Sequence, residues 1–479
     1  MPELQARLTF WRLDSPSFQN LVCSIVLGLS PGIFTALAAL GSGGGKASST
    51  HVASVVNSSL YAIYTVSGWI ASMLLNTIGP RWTLTLGTIG YPCYIGAFWF
   101  YGKTGQEWFP ILSGLILGLS AGWLWSTGGW VSVAYSTENE RGLFVSVQII
   151  MTGIGATLSS IIAFVLVDAR PQAAGVVPSS VYATFLALNI LSIFVAAAFM
   201  IDPSKIVRND GTSLALFSDR AKTTSIAEFK GLISVLKDWR VLILIPVMFA
   251  TELPIGIQTS LNAYAFNIRT RTLLGVSYSV AQIPVAFIFM PVMDNPKRRR
   301  RNRGLLGIFM LSIICLGSWI GELGWMNGKR LNRKDIGPLY DWSDGLPFGG
   351  FAVIYAMFGA LYVTYSILSS LSNSPTTLAR YAGIFKGTVA AGMSVVFGVD
   401  SILPPFYLEY YAFGLQALGL AIMAFLCLTQ VSDSNYFKEA DVIVPLEFRD
   451  QVTELTDIAL TRVQSQDPGS VKGRENSAL

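Results

Sequence analysis

Twelve apolar segments, each about as long as a membrane is thick, recur along this 479-residue chain. They fall near 21–41, 52–76, 82–101, 110–135, 143–167, 180–201, 241–265, 272–293, 303–323, 347–371, 379–400 and 406–430. About 20 apolar residues in a helix cross the hydrocarbon layer. With no water there to bond the backbone, each crossing has to close its hydrogen bonds internally as a helix. Composition points the same way: 13% of residues are charged, against about 25% in a soluble domain. The expected fold is an all-α polytopic membrane protein with 12 transmembrane helices. Residues 1–20 are mixed polar and the run after them is long enough to span, which argues against a cleavable signal.

The longest polar connection, Asp202 to Arg240, lies between the sixth and seventh spans and carries seven basic residues. It divides the chain into an N-terminal segment (1–20), a six-helix bundle (21–201), a linker (202–240), a second six-helix bundle (241–430) and a tail (431–479). Lys and Arg concentrate in loops on the side of both termini, which the positive-inside bias makes cytosolic. The opposite side receives Lys46, Lys103, Arg170, Arg269, Arg271, Lys329, Arg330, Arg333 and Lys334. The expectation is a multi-pass protein of the plasma membrane or an endomembrane, with the lipid bilayer as its first partner.

The run "NPKRRRRNRG" (295–304) has six Lys or Arg among ten residues. Between two spans it cannot meet nucleic acid, and no nucleic-acid partner is expected. Its first role is topological: Arg298, Arg299, Arg300 and Arg301 hold the loop in the cytosol, with a gating contact at the cytosolic ends of neighbouring helices as the second. It also stands where a second half would echo Arg81, with Asp294 beside it as an acidic partner. An internal repeat agrees with this. "GIFTAL" (32–37) and "GIQTSL" (256–261) are offset by 224 residues, and Pro31 and Pro254 precede them. Duplicated halves of this kind are found in transporter folds.

Four segments, "PGIFTALAALGSGGG" (31–45), "NTIGPRWTLTLGTIGY" (76–91), "NAYAFNIRTRTL" (262–273) and "RYAGIFKG" (380–387), carry a resemblance, with "YSTENERG" (135–142) as a looser fifth. In that order they resemble the Unc-ninety-three-like branch of the major facilitator superfamily, and within it the fungal members. The resemblance implies two pseudo-symmetric six-helix bundles around a central cavity. Against the branch, Thr35 stands in place of an Asn, Val389 of a Gln, Gly398 of an Arg, and Glu252 of a Ser or Asn. Three polar groups lost and one carboxylate gained imply an altered cavity.

Glu252, near the middle of the seventh span, is the leading candidate for proton coupling or substrate contact, because a carboxylate at membrane depth is costly. Pro254 can kink that helix and free carbonyls. The other reading is a hydrogen-bonded Glu that fixes packing. Asp168, Asp400 and Glu409 read as interfacial. Lys386, about 9 Å into the eleventh span, either snorkels as an anchor or serves as a cavity cation that binds an anion or a carboxylate. Asn57, Tyr61 and Tyr64 share one face of the second span, and Thr251, Gln258 and Asn262 share one face of the seventh. They are candidate substrate contacts, with interhelical hydrogen bonding as the alternative. Trp123, Trp125 and Trp130 could stack on a planar ligand or simply pack.

The FNIRTR run matches the branch, which gives Arg269 and Arg271 an expected role in capping the seventh span or clamping the outer gate. Glu138, Glu140 and Arg141 are expected to pair with Arg81 and steady a closed cytosolic side, or to be a solvated cluster. "GSGGGKASS" (41–49) lacks the spacing of a phosphate loop. His51 is the sole histidine, and Cys23, Cys93, Cys315 and Cys427 show no metal spacing. No cofactor, metal or enzyme activity is expected. The "NSS" at 57–59 lies within a span, out of reach of glycosylation, and Leu446–Val463 has amphipathic character.

Two functions follow. The first is a secondary-active, non-ATP transporter of a small organic solute or ion by alternating access, with export of a fungal secondary metabolite as one assignment. The second is a non-transporting regulator or chaperone of another membrane protein, which some members of the branch resemble.

Overall fold

Proline and glycine decide where the spans bend. In the computed structural model the described residues are 12–39, 50–168, 178–208, 212–214, 225–266, 268–329, 341, 348–400, 402–436, 439, 442 and 444. The first span is α1 (Pro16–Leu27), a π-helical turn (Gly28–Gly32) holding Pro31, and α2 (Ile33–Ala39). Next come α3 (Thr50–Trp69), α4 (Ala71–Thr88), α5 (Gly90–Thr104), α6 (Trp108–Ala134), α7 (Arg141–Asp168) and α8 (Ser179–Phe199). A linker helix, α9 (Ser225–Lys237), leads to α10 (Trp239–Ala250) and α11 (Leu253–Ala265), which together form the seventh span. The last five are α12 (Ile268–Met293), α13 (Arg300–Lys329), α14 (Phe348–Ser369), α15 (Pro375–Val399) and α16 (Pro405–Thr429).

Among the described residues, ten helices are each long and apolar enough to cross a membrane. The second and third expected spans share a further pair, Val52–Trp69 with Ala71–Thr104, bent by 78°. Gly79 turns the chain inside α4 with a left-handed φ of 78°, just before Pro80, a conformation glycine adopts without a Cβ clash.

The seventh span breaks for a chemical reason. Pro254 has no N–H to offer the carbonyl four residues earlier, and that carbonyl belongs to Ala250. Gln416 Nε2, from α16, donates to it at 3.1 Å. The first span is irregular at Pro31, the matching place in the repeat. Gly32 then packs closely on Thr152 and Ala156 of α7, and Gly256 on Val396 of α15. The fifth and eleventh spans thus play equivalent parts, as a six-helix duplication requires.

Polarity is inverted relative to a soluble protein. Phe309, Ile313 and Ile320 on one face of α13 are each more than 60% exposed, whereas Gln19, Asn20, Asn189 and Glu322 are buried. Lipid replaces water on the outside. The two halves meet along α3 with α15 and along α7 with α12. At the first seam Ser58 and Ser394 each donate to the other's carbonyl, at 3.3 and 3.1 Å. At the second, the Ser160 and Ser279 hydroxyls lie 3.3 Å apart. The end of the bundle that carries the α6–α7 and α12–α13 loops is called the basic end below.

Candidate functional site: a central cavity and its closed basic end

A cavity of about 200 Å³ lies between the halves. Phe34 and Thr35 of α2, Asn57, Tyr61 and Tyr64 of α3, and Trp125 of α6 line one side. Glu252, Asn262 of α11, Tyr278 of α12, and Lys386 and Phe397 of α15 line the other. Seven sequence candidates therefore converge: Asn57, Tyr61, Tyr64, Trp125, Glu252, Asn262 and Lys386.

Glu252 reaches the cavity because it occupies the break, at the N-cap of α11. Lys386 Nζ lies 3.7 Å from its Oε1 and 4.3 Å above the Trp125 ring. The cation–π contact, worth about 0.5–2 kcal/mol, joins the two halves, because Trp125 belongs to the first and Lys386 to the second. The helix holding Lys386 starts at Pro375, eleven residues and about 17 Å away. That is farther from the helix end than the sequence suggested and beyond a lysine stem's reach, and the ammonium lies in the cavity wall. Tyr61 stacks on Phe397 across the seam at 5.7 Å, and Asn57 Oδ1 accepts from Tyr94 OH at 3.1 Å.

Gln258 and Thr251 do not share the Asn262 surface as helical spacing suggested. Thr251 is buried at the break and donates to the Val247 carbonyl at 2.8 Å. Gln258 lies one layer behind the cavity. Its Oε1 accepts from Tyr278 OH at 3.3 Å, and its Nε2 donates to Glu322 Oε1 at 3.1 Å. Tyr278 OH also reaches Asn262 Oδ1 at 3.4 Å. Beyond Glu322 stands Glu409 of α16, whose side chain is fully buried. The interfacial reading of Glu409 is thereby corrected: Tyr407, Tyr410 and Tyr411 face outward while Glu409 points into the bundle. Asp400 is buried as well, and the Asp168 side chain lies outside the described residues.

The basic end is shut by an ion-pair network. Glu138 Oε1 accepts from Arg300 Nη1 at 2.9 Å, from Asn373 Nδ2 at 2.6 Å and from the Asn435 N–H at 3.1 Å. Arg141 donates to the Ser369 carbonyl and, at 2.8 Å, to Asn373 Oδ1. Asp294 accepts from the N–H groups of Gly142 and Leu143 at 2.8 and 2.5 Å. A carboxylate there satisfies orphan donors at the start of α7 and favours the positive end of its dipole. The chain after α16 joins in: Tyr436 OH accepts from the Glu138 N–H at 3.2 Å, and Glu439 Oε2 accepts from the Asn373 N–H at 2.6 Å.

Several expected partnerships resolve differently. Arg81 donates to the Ala197 carbonyl at 2.9 and 2.6 Å, capping the end of α8, so it does not pair with Glu138, Glu140 or Arg141. The Arg run divides: Arg300 is buried at the start of α13, while Arg298, Arg299 and Arg301 are exposed. Asp294, expected beside that run as its acidic partner, lines one recess with Arg300 and Arg303 of the run and also caps α7. Glu140 accepts from Thr137 at 2.9 Å. Arg269 and Arg271 begin α12, because the seventh span already ends at Ala265; their side chains lie outside the described residues. So do the His51 side chain, "GSGGGKASS" and Leu446–Val463. Trp130 donates to the Pro375 carbonyl at 3.1 Å and tethers α15.

Closure should depend on pH through Asp294. Burial pushes its pKa up to about 6, against the two N–H groups that hold it down. The closed end therefore binds this proton more tightly than an opened, solvated one, whose carboxyl titrates near about 3.9. The contribution is full below about pH 4 and is lost as pH rises through about 6. Glu138 has the opposite sign. Burial alone would raise its pKa, but Arg300, Asn373, the Asn435 N–H and Arg141 together hold it below the ordinary value. Its contribution fails only as pH falls past that lowered value. Hydrogen exchange at Gly142 and Leu143 should slow, after correction for intrinsic rates, as pH drops from about 7 to about 5. Asp294→Asn should flatten that profile; an unchanged profile would remove Asp294 from the closure.

The family description "Ion channel regulatory protein UNC-93" matches residues 52–316, more than half of the chain. This chain belongs to the UNC-93 family. UNC93-like protein 1 of Arabidopsis thaliana is 30% identical over 82% of this chain and 85% of its own length. The Notoamide biosynthesis cluster protein O' of Aspergillus versicolor is 23% identical, over 80% and 82%. Among solved structures, the E. coli proton:xylose symporter XylE superposes with a TM-score of 0.58 at 14% identity, over 91% of this chain and 98% of that one. At that identity the likeness speaks for the fold, which is that of the major facilitator superfamily. The fold is one that transporters have, and the family description speaks of channel regulation.

Proposed function

We propose that this UNC-93 family member is a secondary transporter that moves an amphipathic, aromatic organic solute bearing one ionisable group. The observation that carries this is the Glu252–Lys386 pair over Trp125, set in an aromatic cavity between two halves whose basic end is closed. An anionic group on the solute would compete with Glu252 for Lys386, and a cationic group would compete with Lys386 for Glu252. Its ring would occupy the apolar space between Trp125, Tyr61 and Phe397. Opening the Glu138–Arg300 network, which we take to face the cytosol, would expose the site to the other side by alternating access, without ATP. Arg298, Arg299 and Arg301 would keep that loop cytosolic. The Aspergillus versicolor relative makes a secondary metabolite a fitting cargo.

The test is flux into proteoliposomes of two labelled probes, indole-3-carboxylate as an anion and tryptamine as a cation. Protein-dependent flux of at least one is expected, falling at least tenfold in Lys386→Met, which leaves Glu252 unpaired. Absence of flux for both, with unchanged Trp fluorescence on adding either, would sink the reading. The family description favours a second reading, a regulator of another membrane protein. Stable co-purification of one channel or receptor, in the absence of flux, would support it.

A further inference from the structure

Behind the cavity wall lie two carboxylates that the ion pairs do not use. Glu322 of α13 and Glu409 of α16 are both fully buried, on helices that pack together and are joined by the Trp319 indole donating to Gln416 Oε1 at 2.7 Å. Glu322 Oε1 accepts from Gln258, but Glu322 Oε2 and both oxygens of Glu409 have no hydrogen-bond partner. Among the described residues no basic side chain pairs with either, and the one cavity lysine is already engaged by Glu252. The elements packed around them present Gln258 from α11 and Tyr278 from α12. Ala250 of α10 faces Gln416 instead.

Two neighbouring carboxylates in a dry interior cannot both ionise, because each buried charge is costly and the two repel. A metal cation would need several more oxygen ligands, yet the contact that Gln258 makes with the site is an N–H donor. Three orphaned acceptors and no donor of their own call for a proton.

We propose that Glu322 and Glu409 form a buried proton-binding site that holds one proton between them and is linked to the cavity through Gln258, Tyr278 and Asn262. Loss of that proton puts a full charge on Glu322 Oε1 and tightens its bond from Gln258. That pulls on the Tyr278 hydroxyl, which is shared with Asn262 on the cavity surface. The proton enters and leaves as such, with no redox partner. Only this link to the cavity rests on the transporter reading; the protonation itself does not.

Infrared difference spectroscopy of the purified full-length protein in nanodiscs, stepped from neutral to alkaline pH, reads the site directly. The wild-type protein is expected to show a protonated-carboxyl band at neutral pH that disappears on alkalinisation. That band should be lost in Glu409→Gln and lost or displaced in Glu322→Gln. It should persist in Glu252→Gln, which removes only the cavity carboxylate. Should a Gln variant fail to fold, Glu409→Asp and Glu322→Asp keep the carboxyl and are expected to shift the band. A band missing from the wild type at neutral pH, or unmoved by all four variants, overturns the proposal. So does a band that sodium abolishes at fixed pH, which would make the site one for a metal cation. A positive band with neither flux nor a Trp fluorescence response to either probe would keep this site and remove the transporter reading; flux without the band would do the reverse.

Discussion

Arg300→Met is expected to open the basic end and destabilise the purified protein. Arg300 and Glu138 are 9% and 8% exposed and 2.9 Å apart. Removing one partner of a buried pair leaves the other charge uncompensated, at a cost of about 3–5 kcal/mol. A native reporter lies beside the pair: Cys427 lines the same small recess as Glu138, Arg141, Asp294 and Arg300. Its thiol donates to the Arg301 carbonyl at 3.3 Å. Maleimide labelling of Cys427, read by mass spectrometry, should accelerate at least tenfold in Arg300→Met. Arg298→Ala and Arg299→Ala, whose side chains are exposed, should stay within about 0.5 kcal/mol of the parent. Equal labelling in all three variants would reduce the whole run to a topological signal. In Glu138→Gln/Arg300→Met, the loss should be smaller than the sum of the single changes, because neither charge is left stranded.

Gly387→Val should have an effect of similar size by a different route. The α3–α15 seam closes over small residues: a Cβ on Gly387 would lie 2.3 Å from Trp69 Cδ1 and 2.7 Å from the Thr65 carbonyl. One on Gly68 would lie 2.9 Å from both Cα and N of Gly387. Small residues allow this approach in membrane helices. Backbone cannot yield as a side-chain tip does, so the cost should exceed the usual 1–3 kcal/mol or so of overpacking. Thermal unfolding followed by size-exclusion chromatography should show a large loss for Gly387→Val and a smaller one for Gly387→Ala. Gly317→Ala, where the added Cβ meets nothing within 4 Å, should unfold like the parent. If Gly387→Val matches Gly317→Ala, the two halves are not held by this seam.

The cavity residues were legible to different degrees. Glu252 announced itself, since an acid beside a proline at membrane depth is conspicuous in any apolar run. Asn57, Tyr61 and Asn262 followed from helical spacing within one span. Gln258 shared that spacing but went behind the wall, because the break at Thr251 and Glu252 shifts the faces of the seventh span. Glu409 was misread because its neighbours are aromatic and near a span end, the usual setting of an interfacial residue. Glu322 gave no signal beyond being one acid in a long apolar run. Its position eighty-seven residues before Glu409 carries no information about contact.

Arg81 shows the same limit from the other side. A basic residue in a short turn looked like a partner for the acids of the next loop on its side, but the α8 carbonyl terminus was nearer. Hydropathy is a property of each segment, so the sequence by itself determined the spans, the break at Pro254 and the duplicated layout. Which face of an apolar helix meets protein and which meets lipid is not encoded in that average. Only the tertiary structure could bring Lys386 to Glu252, Arg300 to Glu138, and Glu322 to Glu409, because each pairing depends on helix rotation and on contacts between segments distant in sequence.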